Sequence, residues 1–212
     1  MKVYFVRHGQ SVANINELEQ GPEEPLSDLG REQAAFVAKR FSDIPVTRII
    51  ASSYARASET GEILAAELKL PLEHSDLFVE RRPPSEFIGK PGDGPEYQAA
   101  RRIWEEKRAI DPNWRYSDEE TFAEQKARAK AALAQLINDN ADHAVVVTHG
   151  GFLKMLASYM IFGENMTYLE FVSLFNTLKT KNTGITLVEY QDDANPFKGG
   201  WNILAWNDHA HL

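Results

Sequence analysis

A chain of 212 residues, 43% of them hydrophobic and 25% charged, follows ordinary globular usage and carries enough apolar material for a core. Its formal charge of −8 argues against a nucleic-acid coat or an anionic membrane surface, so any anion site must be a concentrated cationic pocket. The absence of cysteine excludes disulfides, thiolate chemistry and Cys-type zinc sites.

The first predicted element is a buried strand at about 2–7, where Val3, Tyr4, Phe5 and Val6 are β-branched or aromatic. This apolar run is too short for a signal-peptide core, and no later stretch approaches a membrane span, so a cytoplasmic protein is expected. The loop GPEEPLSDLG follows, and Ser27 is placed to cap a helix running to about Phe41. Residues 47–52, TRIIAS, read as a second buried strand, and SYARASETGEILAAEL as the helix after it. LPLEHSDLFVE reads as a short edge strand passing into an extended loop.

From residue 81 the pattern changes. ERRPPSEFIGKPGDGPEY is dense in proline and glycine and predicts an irregular excursion, followed by a short amphipathic helix over AARRIWEEKRAI. A Ser117–Glu120 capping box is expected to open the next, longer helix. Residues 144–151, AVVVTHGG, form another apolar strand with a polar end, and FLKMLASYMIFG a helix ending near Gly163. GITLVEY and WNILAW close the chain as a strand pair around a loop containing Asn195, Pro196, Gly199 and Gly200.

This order, βαβαβ, an insertion, αβα and then ββ, predicts an α/β fold: a three-layer α/β/α sandwich with a mostly parallel sheet and helices on both faces. A single domain over 1–212 is expected, with 81–116 as an inserted lid.

Two apolar strands end in His-Gly, at His8 and at His149. Parallel strands of an open α/β sheet deliver their carboxyl ends to one edge, where ligands bind, so the two histidines can converge. Arg56 opens the helix after the second strand, where backbone N–H groups already favour an anion and a guanidinium suits phosphate oxygens. Arg7, His8, Arg56 and His149 together make a cationic pocket in an acidic chain. His209 and His211 read as a mobile polar terminus, and His74 and His143 as surface residues.

Arg7-His8-Gly9 with Ser11 and Asn14, the segment PLSDLGREQA, SSYARASET with Arg56, residues 77–80, and THGG with His149 together resemble the histidine phosphatase superfamily, also called phosphoglycerate mutase-like. The resemblance implies that His8 is the nucleophile of a phosphohistidine mechanism. Arg7, Arg56 and His149 would hold phosphate oxygens, Glu80 would protonate the leaving alcohol, and Ser11, Asn14 and Gly150 would be phosphate or substrate contacts. It implies no metal and no cofactor, and a small phosphorylated substrate as partner. A phosphomonoesterase is expected over a phosphoglycerate mutase, because mutases continue after the glutamate with Tyr-Gly and this chain continues Arg-Arg-Pro-Pro. A non-catalytic phospho-ligand module is the remaining alternative. Arg81, Arg82, Lys90, Arg101 and Arg102 of the expected lid suit a second anionic group; Phe87, Ile88, Tyr97 and Trp104 suit an apolar one.

Overall fold

The computed structural model describes residues 1–193 and 199–212. Six strands, β1 (Lys2–Arg7), β2 (Arg48–Ala51), β3 (Leu72–His74), β4 (Ala144–Thr148), β5 (Ile185–Gln191) and β6 (Gly200–Asp208), form one sheet in the order β3-β2-β4-β1-β5-β6. The first four in this order run parallel, and β5 and β6 complete the far edge antiparallel. The sheet is thus mostly parallel, as the sequence pattern predicts. Asn195 and Pro196, expected in the last loop, lie outside the described residues.

The helices are α1 (Val12–Ile15), α2 (Asp28–Arg40), α3 (Ala55–Leu68), α4 (Pro95–Ile110), α5 (Phe122–Asn138), α6 (Gly150–Phe162) and α7 (Tyr168–Thr177). Alternation along the central strands explains the layering. Tyr4 and Val6, with Val145 and Val147, face α2 and α3, while Val3, Phe5, Ala144 and Val146 face α5 and α6. Every residue of β4 is buried, and covering one of its valines contributes roughly 1.5–3 kcal/mol. The strands that carry the two histidines are therefore the best-anchored part of the sheet. Among the described residues no helix is long and apolar enough to cross a membrane.

Three sequence expectations need correction. The capping box of α5 is Thr121 with Glu124, not Ser117 with Glu120. Both pairs have the right spacing, but Glu120 is buried and takes two hydrogen bonds from Arg128, at 2.8 and 2.7 Å, which holds it away from a cap. Second, α1 and α7 are helices that the sequence reading leaves out. Third, His211 is docked rather than mobile: its ring nitrogens lie 3.2 Å from Arg40 Nη1 and 3.0 Å from Thr183 Oγ1.

The segment 81–116 contains α4 and a short 3-10 turn, Ser85–Phe87. Phe87, Tyr97 and Trp104 pack edge-to-face at centroid distances of 5.3–6.1 Å and, with Ala100, make a separate small apolar cluster. Backbone hydrogen bonds stitch this segment to the chain after β1, from Glu19 N to Lys90 O, Gly89 N to Glu19 O and Gly92 N to Glu17 O.

Candidate active site

Because β1 and β4 are parallel neighbours with Arg7 opposite Thr148, His8 and His149 leave the sheet side by side. Their ring centroids are 5.0 Å apart. The loop after His8 turns against the start of α2 so closely that a Cβ on Gly9 would fall 2.3 Å from Gly30 O. That approach, with the Gly9 N–H donated to Thr60 Oγ1 at 3.1 Å, fixes the His8 backbone.

His8 Nδ1 lies 2.7 Å from Gly9 O. A carbonyl only accepts, so Nδ1 carries the proton and Nε2 keeps its lone pair. Arg56 Nε donates to that Nε2 at 3.2 Å. Burial, then Arg56 and Arg7, pushes the His8 pKa well below 6.5, so the imidazole is neutral at neutral pH. His149 is held neutral the same way, by burial first and Arg56 next. Its Nε2 sits 2.8 Å from Ser52 Oγ, while Nδ1 is buried with no hydrogen-bond partner.

Arg56 stands in the first turn of α3 and is only 1% exposed. Its Nη1 donates to Gly21 O at 2.8 Å, and its guanidinium lies 5.4 Å from the Tyr54 ring centroid. Arg7 Nη1 donates to Thr180 O at 2.9 Å, and Arg7 Nε is buried without a partner. Backbone carbonyls thus aim both guanidiniums without neutralising them. Burial lowers the pKa of each, with Glu80 opposing. An anion placed here would relieve that cost.

Glu80 comes from the loop after β3. Its Oε2 accepts the Gly151 N–H at 2.8 Å and its Oε1 the Arg81 N–H at 2.9 Å. A Cβ on Gly151 would lie 2.6 Å from Glu80 Oε1, so glycine at the head of α6 is what admits the carboxylate.

Arg7, His8, Arg56, Glu80 and Gly150 wall one cavity of about 290 Å³, joined there by Arg81 and Lys154. His149, the N-cap of α6, does not line this cavity but packs against His8, which does. Ser11 and Asn14 are not brought to the cavity. They form a reciprocal capping box on α1, with Ser11 Oγ also donating to Gln20 Oε1 at 2.9 Å. Asn14 Oδ1 accepts from Asn182 Nδ2, which also donates to His8 O at 3.0 Å, so Asn14 supports the loop from behind. Sequence reading missed Ser52, Thr180 and Lys154. Only Lys154 carried a signal, as the one charged residue in FLKMLASYMIF. Among the described residues no group of three or more His, Cys, Asp and Glu could hold a metal ion.

The family description "Histidine phosphatase superfamily (branch 1)" matches residues 3–209. A relative from Enterobacter sp. (strain 638), described as "Probable phosphoglycerate mutase GpmB", is 27% identical over 224 residues, covering 100% of this chain and 95% of that protein. The protein of the same description from Proteus mirabilis is 29% identical over 219 residues with the same coverage. Among solved structures, a mutant phosphoserine phosphatase of Entamoeba histolytica in complex with phosphoserine superposes with a TM-score of 0.80 at 20% identity, covering 100% of this chain and 98% of that one. The mycobacterial glucosyl-3-phosphoglycerate phosphatase gives 0.76 at 24% identity, covering 98% and 99%. The chain belongs to the histidine phosphatase superfamily, branch 1.

Proposed function

We propose that this protein is a phosphomonoesterase that works through a phosphohistidine at His8 and uses side-chain cations in place of a metal. One observation carries the reading: His8, with Nε2 unprotonated, lines a cavity together with Arg7, Arg56 and Glu80. Nε2 attacks phosphorus as the P–O bond to the alcohol breaks, and the Glu80 carboxyl gives its proton to the departing oxygen. Glu80 then takes a proton from water as that water attacks phosphorus and the P–N bond breaks, restoring His8 and releasing phosphate. Arg7, Arg56 and the backbone around Gly150 balance the charge on the non-bridging oxygens, with neutral His149 packed beside His8. In this reading the chain is a single cytoplasmic domain, 81–116 is its lid, and the substrate is a small phosphorylated metabolite.

The curated relatives named as mutases favour a second reading, phosphoryl transfer to another alcohol. That activity needs water kept from the phosphohistidine and a free cation for the second anion of a bisphosphorylated intermediate. Arg81, Arg101 and Arg108 each have a carboxylate partner, which weighs against it, whereas Lys154 on the cavity wall donates to a backbone carbonyl and is the cation such an intermediate would use.

The test is phosphate release from an aryl phosphate in excess chelator, with acid-labile phosphoenzyme trapped in parallel. Release by wild type and none by His8→Ala is expected. Equal release by both proteins would overturn the nucleophile, and quantitative transfer to added phosphoglycerate without phosphate release would favour the mutase.

A further inference from the structure

A second cavity, of about 180 Å³, adjoins the catalytic one, and Glu19, Arg81 and Phe175 wall both. Its other walls come mainly from α4 and α7, including Tyr97, Trp104, Tyr168 and Phe171, with Gly92 and the neutral amide of Gln125 from α5 beside them. An apolar cavity of roughly 150 Å³ is enough to take benzene, so this chamber has room for one ring and a small substituent.

Its polar groups limit what that ring can carry. Trp104 Nε1 and Arg108 Nε are buried without hydrogen-bond partners, in side chains only 4% and 6% exposed. Both atoms are donors, and neither side chain offers an acceptor. The cations around them are already matched: Arg81 lies 3.6 Å from Glu19, Arg101 3.0 Å from Glu105, and Arg108 2.9 Å from Glu119. An incoming carboxylate or second phosphate would lose its hydration and meet no free charge. Both side chains line the chamber, and a neutral acceptor that reached either donor would gain a hydrogen bond at little cost.

We propose that this chamber holds the leaving group of the substrate, and that the substrate is a phosphate ester of an alcohol bearing a flat, uncharged ring with a hydrogen-bond acceptor. The assignment rests on the phosphatase reading above. It gives the lid aromatics a task beyond holding 81–116 together, and it narrows the substrate from any phosphometabolite to a ring-bearing one.

The test compares propyl, benzyl, 4-acetylbenzyl and 4-carboxybenzyl phosphates, all esters of alkyl alcohols, so that leaving-group chemistry varies little. The kcat/KM for the acetylbenzyl ester should exceed that for the propyl ester by roughly thirty- to a hundredfold, the worth of burying a ring. The carboxybenzyl ester should gain much less. Trp104→Phe removes the N–H while keeping an aromatic ring, and should narrow the acetylbenzyl-to-benzyl ratio about three- to tenfold. Val172→Trp fills the chamber from α7 and should erase the preference for rings; thermal unfolding would verify that both variants fold. Calorimetry of 4-acetylbenzyl alcohol with wild type reads the chamber without turnover. Equal rates on all four esters and no alcohol binding would overturn the chamber and leave the phosphatase standing. A preference for the carboxybenzyl ester would overturn the neutral-ring assignment. Alcohol binding that weakens in Trp104→Phe, with no ester hydrolysed, would support the chamber and remove the phosphatase reading.

Discussion

Arg56 Nε donates to His8 Nε2 at 3.2 Å while Gly9 O accepts a hydrogen bond from Nδ1–H, so one imidazole is locked in a single tautomer from both sides. Burial already disfavours a charged His8, and with Arg56 fixed beside it protonation would also place two positive charges together, so the ring stays neutral.

That neutrality has a thermodynamic signature. His8 and His149 both have native pKa values well below 6.5, whereas in the unfolded chain both bind a proton as pH falls through 6.5. Below 6.5 the unfolded state therefore holds more protons, and stability falls as pH drops. Each histidine contributes a slope of up to about 1.4 kcal/mol per pH unit, and the pair up to about 2.7. Urea unfolding from pH 6.5 down to about pH 5 should show a shallower slope in His8→Ala than in wild type. Identical slopes would mean that native His8 titrates normally.

Arg56→Lys should be nearly as damaging as Arg56→Ala. The guanidinium spans His8 Nε2 with Nε and Gly21 O with Nη1, and a single ammonium on a flexible stem does not hold both while facing phosphate. Loss of such a charge-stabilising donor costs roughly 10²–10³ in kcat. Steady-state kinetics on an aryl phosphate reads this directly, and a lysine variant within threefold of wild type would show that charge alone suffices.

The site was legible where its chemistry coincides with a strand end. Arg7, His8 and His149 follow apolar runs that only a buried strand explains, and Arg56 begins the helix after another. What stayed hidden depends on long-range backbone geometry. The carbonyls of Gly21 and Thr180 that aim the guanidiniums have no sequence signature. Ser11 and Asn14 read as ligands through the family resemblance, with local backbone hydrogen bonding of the loop as the other reading of Asn14, and packing decides for the cap. The overlooked α7 did carry a signal, the Thr167–Glu170 capping box, and with it Phe175 on the wall of both cavities.

Glu80 is predicted to matter through its proton rather than its bulk. Glu80→Gln should slow hydrolysis of alkyl phosphates far more than of aryl phosphates, because a stable phenolate leaves with little help. Gly151→Ala should reproduce part of this pattern, since its Cβ would lie 2.6 Å from Glu80 Oε1 and push the carboxylate away. Equal losses on both substrate types would assign Glu80 a purely structural place at the head of α6.

Lys154 changes charge close to the working range. Its Nζ donates to Phe175 O at 2.8 Å and lies 4.1 Å from the Phe175 ring centroid, on the wall of the catalytic cavity. Burial, then Lys179, brings its pKa from 10.5 down to about 8, with Arg7 and Arg81 adding and Glu80 opposing. The amine is therefore charged below about 8 and loses its proton above. Sulfate stays a dianion throughout, so any pH dependence of its competition with substrate comes from the protein. Sulfate affinity in wild type should fall as pH rises through 8, and Lys154→Met should bind it more weakly at pH 7 with little further change. Unfolding free energy should move the other way, rising from pH 8 to 10.5 because the unfolded lysine keeps a proton that the native one has lost. A wild-type sulfate affinity that is flat across pH 8 would place the Lys154 charge outside the anion's reach and leave Arg7 and Arg56 to hold it without help.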